Sequence, residues 1–270
     1  MKNNVRALAL IAVGLALFST VGCNKLRARD QLNKGVQSYK NAKYEEAIDH
    51  FQQSISYDPT LINARLYLAT AFAQQYIPGA DTPDNNKMGE QAIDQYKEVL
   101  NRDPKNINSV KGIAYLYLQM KKFEDSKQYY RKAIEVDPND PEPYYSVAVI
   151  DWTQSYQPRM EERAKLGLKP EEWLKDKKVC EGLKEKGWAI IQDGIDNLTK
   201  ALQLRPDYDD AMAYMNLMYR ERSDLQCGDQ AAHAADLKTA DDWVDKTMAT
   251  KKAKAEKQPG AQGITMDQPK

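Results

Sequence analysis

The sequence predicts an all-α fold, a solenoid of about five helix–turn–helix repeats, on three observations. Residues 107–140 pattern as two amphipathic helices joined at Lys121-Lys122. Prolines close successive segments at a recurring distance: Pro104 to Pro138 is 34 residues and Pro138 to Pro206 is 68. Charged residues at 29% and only 13 glycines suit a mostly helical chain.

Within residues 107–140 the first helix is expected from Ile107 to Met120, with Val110, Ile113, Ala114 and Tyr117 on one side. The second is expected from Phe123 to Val136, with Ser126, Tyr130, Ala133 and Ile134 inward. Pro138 ends it, because proline cannot donate the helix hydrogen bond. The alternation of small and bulky residues resembles the tetratricopeptide repeat, a 34-residue helical hairpin. Small residues let two helix backbones approach, and large ones fill the gap beside them. The resemblance implies a right-handed superhelix.

The other copies follow in order. The first spans about residues 28–61, with Gly35, Tyr44, Ala47, Phe51 and Ser54 at the small and bulky positions. The second begins near Ile62; Pro59 to Pro104 is 45 residues, and the excess forms a loop around Pro78-Gly79, an insertion at about 75–87. The fourth opens at Asp140, a helix cap, followed by Pro141 in the first helical turn. Its partner helix carries Gly194, Leu198 and Ala201. Between them lies either a degenerate repeat or an insertion at about 157–187; the insertion is preferred, because Lys169-Pro170 breaks the pattern. A short helix is expected near 160–166. A longer one, starting near Glu171, would run into the repeat helix. The fifth copy has residues 207–225 as its first helix, followed by a terminal helix capped by Asp229 in which Leu237, Val244 and Met248 keep helical spacing. Together these make a solenoid over residues 24–253, and residues 254–270 read as a disordered tail.

Residues 1–23 read as a separate leader. Lys2 and Arg6 precede an unbroken apolar run from Ala7 to Phe18, short for a membrane span and suited to a signal-peptide core. The small residue before Cys23 resembles the bacterial lipobox. That resemblance implies lipidation of Cys23 and a lipid-anchored, periplasm-facing protein of the cell envelope. Asn24 in place of aspartate implies the outer membrane. An ordinary signal peptide cut nearby is the alternative. With Cys23 acylated, Cys180 and Cys227 remain. An oxidising compartment allows a bridge between them, and two small buried thiols would account for them equally well. The bridge is the reading taken.

Chemistry is sparse. The 39 basic and 39 acidic residues cancel, so no global field favours nucleic acid. No catalytic, cofactor-binding or metal-ligating constellation stands out. His50 and His233 are expected to face solvent. Function is therefore expected from surface shape. In the repeat family the first helix of each hairpin lines the concave face, and positions 2, 5, 9, 12 and 13 point into it. Carried over, a partner-binding groove is expected from Tyr39, Leu66, Tyr115, Leu118, Tyr145, Val149, Trp152 and Leu217. The chaperone-tail clamp of some family members needs Lys and Asn where this chain has Leu32 and Val36. The groove is instead apolar and aromatic, suiting a partner helix or extended peptide. Folding back of the 157–187 insertion to fill the groove is the competing expectation.

The reading is a non-catalytic protein–protein scaffold or adaptor, with no cofactor. Two alternatives stand beside it: a hydrolase or transferase site in the 157–187 insertion, and a self-associating structural envelope protein.

Overall fold

The computed structural model describes residues 23–169 and 172–257. The leader over residues 1–22 and the tail beyond 257 lie outside the described residues. Among those described, every regular element is an α-helix, and none is long and apolar enough to cross a membrane.

The chain divides into two compact units, Met1–Val136 and Asp137–Lys270. Unit 1 holds three hairpins: α1, over residues 23–40, with α2 (Tyr44–Tyr57); α3 (Ile62–Gln75) with α4 (Pro83–Leu100); and α5 (Ile107–Gln119) with α6 (Phe123–Val136). Each helix from α2 to α5 packs on the one after it, and α3 also touches α5. Unit 2 holds α7 (Pro141–Lys165), α8 (Lys177–Leu204), α9 (Asp209–Asp224) and α10 (Gln230–Lys257). Here α7 packs on α8 and α9, α8 on α9, and α9 on α10.

The small-and-bulky pattern forms the seams. Ala47, Phe51 and Ser54 on α2 are fully buried. Gly35 on α1 faces them: a Cβ there would lie 2.5 Å from the Phe51 ring, so only glycine lets the two helices meet at this depth. Burying the Phe51 side chain contributes roughly 1.5–3 kcal/mol. Ser126, Tyr130 and Ala133 repeat the arrangement on α6, and Gly194, Leu198 and Ala201 repeat it on α8. The buried serines would carry a desolvation cost if left unpaired. Each donates to a carbonyl of its hairpin partner, Ser54 to Ala28 at 2.7 Å and Ser126 to Ala114 at 2.7 Å.

The turns close by a shared device. After α1, the amide of Ala42 donates to Tyr39 and that of Lys43 to Ser38; after α5, Lys121 donates to Leu118 and Lys122 to Tyr117. This satisfies the last helical carbonyls, and it places the first residue of each pair in the left-handed region, φ 58° at Ala42 and 57° at Lys121. A Cβ in that region costs roughly 1–2 kcal/mol, which glycine avoids. Ala42→Gly is expected to stabilise unit 1 by about 1 kcal/mol, read as a higher denaturant midpoint with an unchanged slope.

Two sequence expectations need correction. The 157–187 insertion forms no separate short helix; its non-helical residues 166–169 and 172–176 divide two long helices. It lengthens α7 through Pro158 to Lys165 and starts α8 at Lys177, so residues 139–206 are one hairpin with long arms. The tail is also helical for longer than expected, since α10 continues through Lys254 to Lys257.

Candidate interaction site

In unit 1 the expected groove residues sit on the first helices of the hairpins. Leu66 and Tyr39 are half-buried and pack against the core cluster around Phe51 and Phe72. Leu118 is also half-buried. Tyr115 is different: it stands 52% exposed. It forms one wall of an open cleft of about 300 Å³ whose other walls are Thr70, Ala73 and Gln74 of α3, with Tyr76 and Pro78 at the rim.

The rim comes from the 75–87 insertion, which the structure resolves into the loop 76–82 and the start of α4. Asn85 organises it. Its side chain accepts from the Ile77 amide at 2.7 Å and donates to the carbonyls of Ile77 at 2.9 Å and Ala80 at 2.6 Å. Thr82 caps α4 by accepting from the Asn85 amide. The pinned loop presents Ile77 at 63% exposure beside Pro78. Beneath the cleft, the Thr70 and Tyr96 hydroxyls lie 3.3 Å apart, and burial pushes the Tyr96 phenol up. The cleft thus pairs a fixed floor with exposed aromatic and apolar rims.

Unit 2 behaves differently. Tyr145 packs between Tyr208 and Tyr214 at ring distances of 5.0 and 5.5 Å, and Trp152 packs on Tyr156 and Tyr214 at 4.8 and 5.6 Å. Val149 and Leu217 are half-buried. Burial pushes the Tyr208 phenol up to about 12. These aromatics occupy one another in the α7–α9 seam, so the expected anchor Trp152 is already engaged in packing.

The long arms of α7 and α8 hold a buried ionic cluster that the sequence reading missed. Arg159 forks onto Glu221, with Nε to Oε2 at 2.6 Å and a terminal nitrogen to Oε1 at 2.9 Å, and reaches Asp224 at 2.6 Å. Arg163 joins Asp224 at 2.8 Å and donates to the carbonyls of Lys169 and Glu172. Glu221, Asp224 and Arg163 are each at most 4% exposed. Desolvation pushes the Glu221 carboxyl up against the opposing pull of Arg159. Desolvation pulls Arg159 down, and its two carboxylate partners outweigh that. Such charges anchor helices when fully paired and become costly when they are not.

The same arms are tied at the turn before α10. Cys180 and Cys227 are disulfide-bonded, their Cα atoms 5.3 Å apart. Trp173 stacks on His233 at 4.5 Å, and His233 Nδ1 lies 2.9 Å from the Ser223 carbonyl. His50 likewise contacts Gln31 at 2.7 Å, so neither histidine simply faces solvent. Cys23 is exposed with a free thiol. No cluster of His, Cys, Asp and Glu able to hold a metal occurs among the described residues.

The family model of the tetratricopeptide repeat matches residues 111–140, most of the α5–α6 hairpin and the turn after it. One tetratricopeptide repeat is thus placed at residues 111–140. No curated protein sequence matches the chain. Its fold is similar to a crystal structure of MamA protein, with a TM-score of 0.58 at 11% identity over 88% of this chain and 98% of that one. It is also similar to MamA 41-end from Desulfovibrio magneticus RS-1, at 0.57 and 14% over 84% and 96%. At such identities the likeness shows the fold. Tetratricopeptide repeats present helix faces to other proteins, which supports a protein-interaction scaffold in general terms.

Proposed function

We propose that this tetratricopeptide protein is a non-catalytic adaptor that takes a partner helix or extended peptide on the first-helix face of unit 1. The carrying observation is the cleft beside Tyr115: an exposed aromatic over a floor fixed by Thr70 and Tyr96, with an apolar rim held in place by Asn85. Exposed aromatic anchors beside shaped recesses are where binding energy concentrates. The partner side of unit 2 is taken up by its own aromatic packing, so unit 1 is the contact surface.

Lipidation at Cys23 completes the proposal. An acylated Cys23 would tether unit 1 to the membrane through α1, because buried acyl methylenes each contribute about 0.8 kcal/mol and several chains act together. The leader pattern before Cys23 and its exposed thiol support this envelope location, with the outer membrane favoured by Asn24.

Tyr115→Ala is expected to weaken partner binding by at least about 1 kcal/mol, near fivefold, with the unfolding midpoint unchanged because the ring is half in solvent. Calorimetry with the crosslinked and identified partner reads both. Unchanged affinity sinks the assignment of the cleft. For the alternative of a hydrolase or transferase in the insertion, the charged groups the arms contribute to the interior, Arg159 and Arg163, are committed to Glu221 and Asp224. Their observed work is to hold α7 on α9.

A further inference from the structure

The neutral total of the chain conceals a local cluster of cations at one end of unit 1. The first two turns of α1 carry Lys25, Arg27 and Arg29, all exposed, around Leu26 at 68% exposure. Arg27 lies over the ring of Tyr57 at 5.9 Å, and Tyr57, the last residue of α2, is itself 36% exposed. Arg102, in the turn after α4, reaches the same corner and donates to the Pro59 carbonyl at 2.7 Å. Two carboxylates stand nearby. Asp30 is paired with Lys34 at 2.7 Å. Asp58 accepts from the Thr60 hydroxyl and amide, and that capture, with Lys25 and Arg102 beside it, holds its carboxyl below the usual range.

An exposed leucine and tyrosine among cations is the side-chain mixture that sits at a bilayer surface. The apolar parts enter the headgroup boundary, and the cations meet lipid phosphates. The patch is also continuous along α1 with Cys23, two residues before Lys25.

We propose that this corner of unit 1, Lys25, Leu26, Arg27, Arg29, Tyr57 and Arg102, is a membrane-seating surface that recognises anionic phospholipid. It goes beyond the tether: acylation fixes the protein to a membrane, whereas the patch decides which face of unit 1 lies down on it and makes that choice depend on lipid charge. Each cation near an anionic surface contributes about 1 kcal/mol, and the attraction fades beyond a Debye length.

The test uses the whole protein reconstituted from cell membranes into vesicles of phosphatidylcholine alone or with phosphatidylglycerol. A polarity-sensitive dye is placed on Leu26→Cys. With Cys23 acylated and Cys180–Cys227 bridged, that thiol is the one available for labelling. Blue-shifted emission is expected in phosphatidylglycerol vesicles at low salt. The shift is expected to vanish at high salt and in the triple variant Lys25→Glu, Arg27→Glu, Arg29→Glu, which lowers occupancy of the seated state on the order of a hundredfold. Equal emission in both vesicle types, or a shift that survives charge reversal, overturns the proposal. Mass spectrometry of the same sample reads acylation of Cys23. A Leu26→Cys chain that also carries Cys23→Ser, with neither acyl group nor competing thiol, is added to the same vesicles from solution and read by the same dye, so a failed tether and a failed patch give different results.

Discussion

Cys180→Ser with Cys227→Ser is expected to lower the stability of unit 2 by about 4 kcal/mol while leaving unit 1 as it was. The bridge closes a loop of 47 residues, and in the chain-entropy account a loop of that size restrains the unfolded chain by about 4 kcal/mol. The bridge holds the start of α8 to the turn before α10, at the free ends of the long arms, where fraying would otherwise begin. The measurement is convenient because all four tryptophans, at positions 152, 173, 188 and 243, belong to unit 2. Tryptophan fluorescence in a denaturant titration therefore follows unit 2 alone. A reducing agent should reproduce the loss in the wild type and have no effect in the double variant. Equal midpoints for oxidised wild type and double variant would show that the bridge is absent or idle.

Arg159→Ala is expected to cost unit 2 about 3–5 kcal/mol, because it strands Glu221 and leaves Asp224 with Arg163 alone. The variant also carries a pH signature. Without its guanidinium, Glu221 keeps the desolvation that raises its carboxyl. A folded pKa above the unfolded value means that the native state holds a proton the unfolded chain has released. Stability then falls as pH rises through the window between the two values. The deficit of Arg159→Ala relative to wild type should therefore be smaller near pH 5 than near pH 8. A deficit below about 1 kcal/mol, or one that shrinks as pH rises, contradicts the buried-cluster account. Replacing all four charges with apolar residues of similar volume need not destabilise at all, since a buried ion pair recovers little more than its own desolvation cost.

These two features also mark what the sequence could and could not reveal. The helices of unit 1 were legible because their information is local: Phe123 to Val136 was expected as a helix and is one, and the small residues Ala47, Ser54, Ser126 and Ala133 are buried as the packing rule requires. The caps Asp140 and Asp229 act as expected, accepting from the amides of Glu142 and Ala232. The arms were not legible. Pro158 lacks the amide proton a helix interior uses, yet α7 runs through it to Lys165. The turn beyond it is held instead by Arg159 and Arg163, whose partners lie about 60 residues further on, a distance over which no periodicity speaks. Nothing local in the sequence signals the burial of Glu221, for the same reason. Tyr145 and Trp152 were expected to line a groove; their mutual packing with Tyr208 and Tyr214 depends on how α9 lies against α7. Tyr115 carried no signal beyond its position in the repeat; its exposure follows from a neighbouring loop whose shape is set by Asn85. The basic corner of α1 was hidden by counting charge over the whole chain.

The central claim is that a partner lies on the first-helix face of unit 1. It is tested most directly by placing a photo-crosslinking phenylalanine analogue, one position at a time, in the whole protein in its native cells. Tyr115 and Gln74, beside the cleft, are the test positions, and Gln128, exposed on α6, is the control. The account predicts one discrete adduct of the same mass from Tyr115 and Gln74, with none from Gln128. An adduct from Gln128 with silence at Tyr115 and Gln74 would contradict it and move the interaction to the second helices.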